Sequence, residues 1–303
     1  PDQFIQNKFD YLITNPPFGV KWKKVEKEVK EEHEQLGHGG RYGAGLPSVS
    51  DGSLLFLMNL ISKMKPKEQG GSRLAIVFNG SPLFSGSPSS KKNESSIRQW
   101  IIENDMLEAV VALPNQLFYN TGISTYIWVL SNHKPKERKG KVQLINAVEF
   151  YKKMSRSLGD KRNELSDEHI QEITRLYGAF EEGEFCKIFD NKDFGYYKVT
   201  VERPLRKNGK IVRDRQGDPK PDSSLRDTEN IPLKEDIQAY LEREVLPHVP
   251  DAWVNEKKTN IGYEINFTKY FYKYKPLRSL EEIRADILAL EENAKELIKQ
   301  VIE

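Results

Sequence analysis

Apolar residues in this chain fall into two rhythms. Short, nearly unbroken runs occupy 9–14, 74–78, 107–113 and 124–130, and each ends in turn-forming residues. Runs of this kind predict buried strands. Between them the spacing changes to that of helices over 52–64 and 94–103, where Ile97, Trp100 and Ile101 share one side. Helices between successive strands require a crossover, so the first three strands are expected to be parallel. Only the short non-helical link 114–122 joins the last two, which predicts an antiparallel pair. Three parallel strands and a reversed one make the second half of a doubly wound α/β sheet.

Beyond this block the pattern thins. A strand is expected at 142–145, and a helix over 166–181 with Ile170, Ile173, Leu176 and Tyr177 on one face and Ser166 as its cap. Short strands follow at 185–188 and 196–201, then a polar hairpin and linker over 207–230, then a helix near 233–246. Near the end Leu280, Ile283, Ile287, Leu290, Ala294, Leu297 and Val301 repeat at alternating three- and four-residue spacing, a heptad seam. Such a helix either docks on its own domain or forms a coiled-coil contact with a partner, and both readings stand. The pattern divides the chain into 1–150, an α+β extension at 151–232, and a mainly helical region at 233–303 with the heptad helix at 280–302.

Composition narrows the class only a little. The 303 residues include 30% charged and 37% hydrophobic, and 47 Lys and Arg against 45 Asp and Glu leave +2. Net charge therefore does not announce nucleic-acid binding, and any such contact must come from a local patch. The single cysteine, Cys186, excludes an internal disulfide, fits a reducing cytoplasm, and reads as packing. No apolar run is long enough to span a membrane.

The chemistry concentrates at Asn15-Pro16-Pro17-Phe18, directly after the first strand. The prolines fix φ and carry no N–H, so no neighbouring amide competes for the adjacent carbonyls. The Asn15 carboxamide oxygen and the Pro16 carbonyl can each accept one hydrogen of an –NH2 group. An aromatic amine is a poor nucleophile because its lone pair is delocalised. Two acceptors favour a more pyramidal nitrogen as a bond to an incoming methyl forms, which is stabilisation specific to the transition state. Phe18 would stack on the base, and no metal, nucleophile or strong base is needed. Against this, Asn before Pro also opens ordinary turns.

Other signals are weaker. At about 100° per residue, His33 and His38 fall about 140° apart on a helix and cannot share a metal as His-Glu-x-x-His does. The glycines of 37–45 fail the Gly-x-Gly-x-x-Gly pattern in every frame and read as a mobile loop, one that DNA could order. Lys21, Lys23 and Lys24 are placed to grip phosphates, or form a solvated helix start diluted by Glu26, Glu28, Glu31 and Glu32.

With these pieces assembled, the chain resembles the modification subunit of type I restriction–modification systems, an adenine-N6 DNA methyltransferase. The likeness extends to Ser50-Asp51-Gly52-Ser53-Leu54-Leu55-Phe56, Ser72-Arg73-Leu74-Ala75-Ile76-Val77, Asn79-Gly80-Ser81-Pro82-Leu83-Phe84 and Glu94-Ser95-Ser96-Ile97-Arg98. It continues in the leucine-proline stretch from Ala112 through Asn120 to Ile123, and in Gly262-Tyr263-Glu264-Ile265. The resemblance implies the C-terminal half of an S-adenosylmethionine-methyltransferase Rossmann-like sheet followed by a mainly helical extension. It gives Asn15, Pro16, Pro17 and Phe18 the target-amine role, places Phe118 beside a flipped base, and puts Phe56 near the cofactor adenine. It further implies double-stranded DNA, a specificity subunit, a restriction subunit and a second modification subunit as partners, with the heptad helix as the dock for the specificity subunit.

The departure from the family lies in the cofactor site. Members hold S-adenosylmethionine mainly through a glycine-rich loop upstream of Asn-Pro-Pro-Phe, and here residue 1 is Pro and few residues precede the motif. Beyond residue 150 no two glycines form Gly-x-Gly, so the loop is not permuted downstream. The expectation is a C-terminal portion with the amine-handling half of a site and little of the cofactor half, inactive alone. Its first strand is then an open edge prone to self-pairing. Competing readings are a methyltransferase of a protein glutamine or an RNA base, and an inactive module that acts through its terminal helix.

Overall fold

The computed structural model describes residues 4, 6–88, 92–119, 121–274 and 277–302. Two units separate by their contacts, 1–270 and 271–303. The first opens with strand β1 (Tyr11–Thr14), helices α1 (Glu26–Leu36) and α2 (Ser53–Ser62), strand β2 (Arg73–Asn79), and helices α3 (Ser81–Phe84) and α4 (Glu94–Glu103). Strands β3 (Leu107–Ala112), β4 (Thr125–Ser131) and β5 (Lys141–Asn146) follow, then a hairpin of β6 (Lys152–Leu158) and β7 (Lys161–Glu164). Helix α5 (Asp167–Ala179) and strands β8 (Cys186–Asp190) and β9 (Gly195–Glu202) come next.

The main sheet has the order β1-β2-β4-β3-β5-β8. β1 is parallel to β2, while β4 is antiparallel to both β2 and β3. The first three strands therefore share one direction and the fourth is reversed, as the connecting segments require. That β4 inserts between β2 and β3 is not readable from the connections, which set direction but not neighbour. β3 is buried at every position and β2 at alternate ones. Phe78 and Trp128, both fully buried, pack edge to face with centroids 5.5 Å apart.

Helix placement follows from caps and apolar stripes. The Asn93 side chain accepts from the Ser95 N–H at 3.0 Å, and the Asn93 N–H donates to Ser96 Oγ at 3.2 Å, which starts α4. Ile97, Ile101 and Ile102 on α4 are buried. Ser166 caps α5 as expected, accepting from the His169 N–H at 3.4 Å. Ile173, Leu176 and Tyr177 of α5 pack on Val111, Ile145 and Cys186, whereas Ile170 is 49% exposed. The helix expected over 233–246 is shorter: one α turn, Ile237–Tyr240, passes into π geometry at Leu241–Val245.

The 37–45 segment is not the open loop its glycines suggest. Tyr42, Gly43, Ala44 and Gly45 are buried, and Arg41 forms a bidentate pair with Glu32, Nη2 to Oε2 at 2.6 Å. A Cβ on Gly43 would lie 2.3 Å from the Gly37 backbone, so glycine here serves close backbone approach rather than mobility. The two histidines are also accounted for. His33 Nδ1 lies 2.7 Å from the Tyr42 carbonyl, and the His38 ring faces Trp100 at 6.2 Å.

A second antiparallel sheet is centred on β9, which pairs with Asp227–Pro232, Trp253–Val254 and Asn260–Tyr263. The last of these strands rests on α4, where Arg98 Nε donates to the Tyr263 carbonyl at 2.7 Å. In the second unit, Leu280–Ile302 is one helix. Its seam residues Leu280, Leu290 and Leu297 are 84%, 68% and 62% exposed, and the Val301 side chain lies outside the described residues, as does Asn120. No helix among the described residues is long and apolar enough to cross a membrane.

β1 forms the edge of its sheet, and its outward side chains Tyr11 and Ile13 are 76% and 85% exposed. An apolar edge with open N–H and C=O groups invites pairing with another strand. The isolated chain is expected to self-associate with rising concentration in sedimentation velocity. A single monomeric boundary at high concentration would show that this edge is protected.

Candidate active site

The Asn-Pro-Pro-Phe segment starts where β1 stops. Leu12 is buried and faces Leu74 in the parallel register with β2, which holds the strand in place. Pairing ends at Thr14, two residues before the first of two consecutive prolines, which have no N–H to donate. Pro16 is buried, Phe18 is half-buried, and Asn15 and Pro17 are exposed. Gly19 then takes φ +63°, a left-handed conformation that turns the chain. Beyond it the Val20 carbonyl accepts from the Gly52 N–H at 2.9 Å, and buried Trp22 donates from Nε1 to the Ser48 carbonyl at 2.8 Å. The motif is thus held between a sheet edge and the start of α2. Among the described residues, no hydrogen bond occupies the Asn15 carboxamide within the fold.

Phe118 arrives from the far side. Buried β3 continues into buried Leu113 and Pro114, and the following loop brings the Phe118 ring edge-on to Phe18. Their centroids are 6.3 Å apart and the planes cross at 89°. Two aromatic rings from distant parts of the chain therefore meet next to the Asn15-Pro16-Pro17 stretch, which Phe18 directly follows. None of Asn15, Pro16, Pro17, Phe18 or Phe118 carries an ionisable side chain.

The loop carrying Phe118 is held by the β6–β7 hairpin, which the sequence pattern does not announce. The Gln116 carbonyl accepts from the Arg162 and Asn163 N–H groups at 2.9 and 3.2 Å. Asn163 Nδ2 donates to the Asn115 carbonyl at 2.9 Å, and the Asp160 N–H to the Tyr119 carbonyl at 3.0 Å. The clue in the sequence is the Gly159-Asp160 turn pair, because the flanking strands show no apolar alternation, with Met154 and Leu158 as their apolar residues.

The remaining candidates lie further out. Phe56 is 42% exposed on α2, while Leu55, Leu57 and Met58 around it are buried. No ring contact joins it to Phe18 or Phe118 among the described residues. Lys21, Lys23 and Lys24 are exposed around the buried Trp22. The fit to S-adenosylmethionine is partial. Phe56 can stack on an adenine, but the cavity nearby, lined by Ser48, Asp51, Leu54, Ser81, Pro82 and Glu94 among others, holds about 160 Å³. That is below the roughly 300 Å³ at which small-molecule pockets begin. The described residues form no complete cofactor site. They contain no cluster of three His, Cys, Asp or Glu that could hold a metal.

Comparison with known proteins places the family. A family model described as N-6 DNA Methylase matches residues 1–207. The chain is 31% identical over 70% of its length to the type I restriction enzyme MjaIX methylase subunit of Methanocaldococcus jannaschii, covering 35% of that protein. It is 33% identical over 66% of its length to the HindI methylase subunit of Haemophilus influenzae, covering 44% of it. A crystal structure of a type I restriction-modification methyltransferase subunit from Streptococcus thermophilus overlaps 61% of this chain and 35% of that one, at 24% identity and TM-score 0.49. The chain thus spans less than half the length of these relatives. The match across its first two thirds, with the Asn-Pro-Pro-Phe segment at the end of β1, makes the chain a member of the N-6 DNA methylase family.

Proposed function

We propose that this chain supplies the target-amine half of a type I restriction–modification adenine-N6 DNA methyltransferase. The observation that carries this is the meeting of Phe18 and Phe118 beside the uncommitted acceptors of Asn15 and Pro16. A base has to leave the duplex to be reached, and two rings at right angles form a corner that receives one. Phe18 takes its face and Phe118 its edge. Asn15 and Pro16 then accept the two amine hydrogens. S-adenosylmethionine, when bound, supplies an electrophilic methyl group. From this chain Phe56 is the residue assigned to its adenine, and sequence outside these 303 residues is assigned the rest of its site. Lys21, Lys23 and Lys24 are assigned to nearby phosphates.

Sequence choice is assigned to a separate specificity subunit, and the exposed seam of Leu280–Ile302 to docking it; a restriction subunit and a second modification subunit complete the assembly. The test measures methyl incorporation from labelled S-adenosylmethionine by the complete enzyme into duplex DNA, RNA and a glutamine-containing peptide. DNA alone is expected to be labelled, with the product 6-methyladenine. Labelling of RNA or peptide instead would move the reading to another amine. Calorimetric titration of S-adenosylmethionine into this chain alone is expected to give no heat. Micromolar binding would place the cofactor site within these residues.

A further inference from the structure

The β6–β7 hairpin carries more cationic charge than its packing role explains. Within 152–164 the cations Lys152, Lys153, Arg156, Lys161 and Arg162 outnumber the anions Asp160 and Glu164, and Glu168 at the start of α5 senses the Lys152 charge. None of the five forms an ion pair among the described residues. Several arginines elsewhere are committed: Arg73 and Arg138 to Glu108, Arg203 and Arg206 to Asp251, Arg226 to Glu202. The ladder is also irregular. Lys152 pairs with Glu164, Lys153 with Asn163, and Leu158 with Lys161, so the residues between Lys153 and Leu158 bulge from the ladder with Arg156 among them. Bulges re-aim side chains beside functional sites. Lys152, Lys153, Arg156 and Arg162 are exposed.

Position gives this charge its meaning. The hairpin bonds the loop of Phe118 at both ends, through Gln116 and through Tyr119, so a ligand held by the hairpin is held next to Phe118. A polyanion that brings a base to Phe118 must run its backbone past this spot. We infer that the β6–β7 hairpin is a phosphate-backbone clamp for duplex DNA, with Lys152, Lys153 and Arg156 as its contacts. The inference rests on the reading of Phe18 and Phe118 as the base corner. The backbone bonds to Gln116 and Tyr119 couple the clamp to that corner, so DNA seated on the hairpin also positions Phe118.

The test is fluorescence anisotropy of a labelled duplex with the complete enzyme, over a series of salt concentrations. Changing Lys152, Lys153 and Arg156 together to Ala is expected to weaken binding about 10-fold or more and to flatten the log–log salt slope by about 2 to 3, at ~0.9 for each phosphate no longer neutralised. Lys152→Arg with Lys153→Arg retains binding, and the thermal midpoint of the alanine variant is unchanged. A control set, Lys207→Ala, Lys210→Ala and Lys220→Ala, removes equal charge elsewhere and is expected to change affinity less than about 2-fold. An unchanged slope in the hairpin variant, an equal weakening in the control, or tighter binding of single-stranded RNA through the same lysines would overturn the clamp. Asn15→Ala separates the two claims. Failure of the amine site leaves this variant methylating, whatever the hairpin does, and failure of the clamp leaves the methylation result untouched.

Discussion

Asn15→Ala in the complete enzyme is expected to lower single-turnover methyl transfer by about 10²–10³-fold, the usual cost of removing one preorganised electrostatic partner. The side chain makes no bond within the fold among the described residues, so its removal takes nothing from packing. Stability and assembly should therefore match the parent. DNA affinity is also retained, because the acceptor acts on the amine as the new bond forms rather than on the bound base. Asn15→Asp keeps an acceptor at the same place and is expected to recover part of the rate, whereas Asn15→Leu keeps volume without one and is not. The comparison of kcat with DNA affinity decides the matter. Full-rate methylation by the alanine variant would remove Asn15 from the site. Phe118→Ala offers a contrast: removing its edge contact with the base costs about 0.5–1.5 kcal/mol and weakens target engagement more than the bond-forming step.

Glu108→Ala is expected to cost about 3–5 kcal/mol of stability, measured by denaturant or thermal unfolding. Glu108 sits on fully buried β3, where a bulge interrupts the ladder with β4 between Leu107 and Ala109. Its carboxylate takes Arg73 Nε at 3.0 Å and lies 3.6 Å from Arg138 Nε. Arg138 is itself buried, donates to Gln143 Oε1 at 2.9 Å and to the Tyr177 carbonyl, and stacks over Tyr177 and Phe180. Burial, and next the Glu108 charge, push the Tyr177 hydroxyl up to about 12. Removing Glu108 strands the Arg138 guanidinium in a low-dielectric interior, which is the costly half of breaking a buried pair. Glu108→Leu combined with Arg138→Met removes both charges and is expected to restore most of the stability. A double variant as unstable as Glu108→Ala would show that the network stabilises through shape rather than charge.

Strand direction, the four-strand pattern and the position of Asn15-Pro16-Pro17-Phe18 at the end of a strand were legible in the sequence because each rests on local chemistry. Unbroken apolar runs mark strands, although the first, 9–14, buries only Leu12 at the sheet edge, and helices between them force parallel order. Two prolines after Asn15 expose carbonyls wherever the strand lies. The family likeness also pointed to Phe118, and the structure sets that ring against Phe18. Local pattern misled where packing overrules it. The glycines of 37–45 suggested mobility, yet Gly43 is glycine because the Gly37 backbone crosses 2.3 Å from where its Cβ would be. The β6–β7 hairpin left no apolar alternation to read because it buries little and is held by backbone bonds to the Phe118 loop.

The order of residues alone thus fixes an inventory: which runs are strands, which residues accept hydrogens, and which rings are available for stacking. Long-range packing settles the arrangement. It inserts β4 between β2 and β3, brings Phe118 to Phe18, and stands five cations, none in an ion pair among the described residues, on the hairpin that holds the Phe118 loop. The reason is physical. Backbone preference and hydrophobic period act over a few residues, whereas strand neighbours, loop anchors and ion pairs depend on which distant segments share a surface.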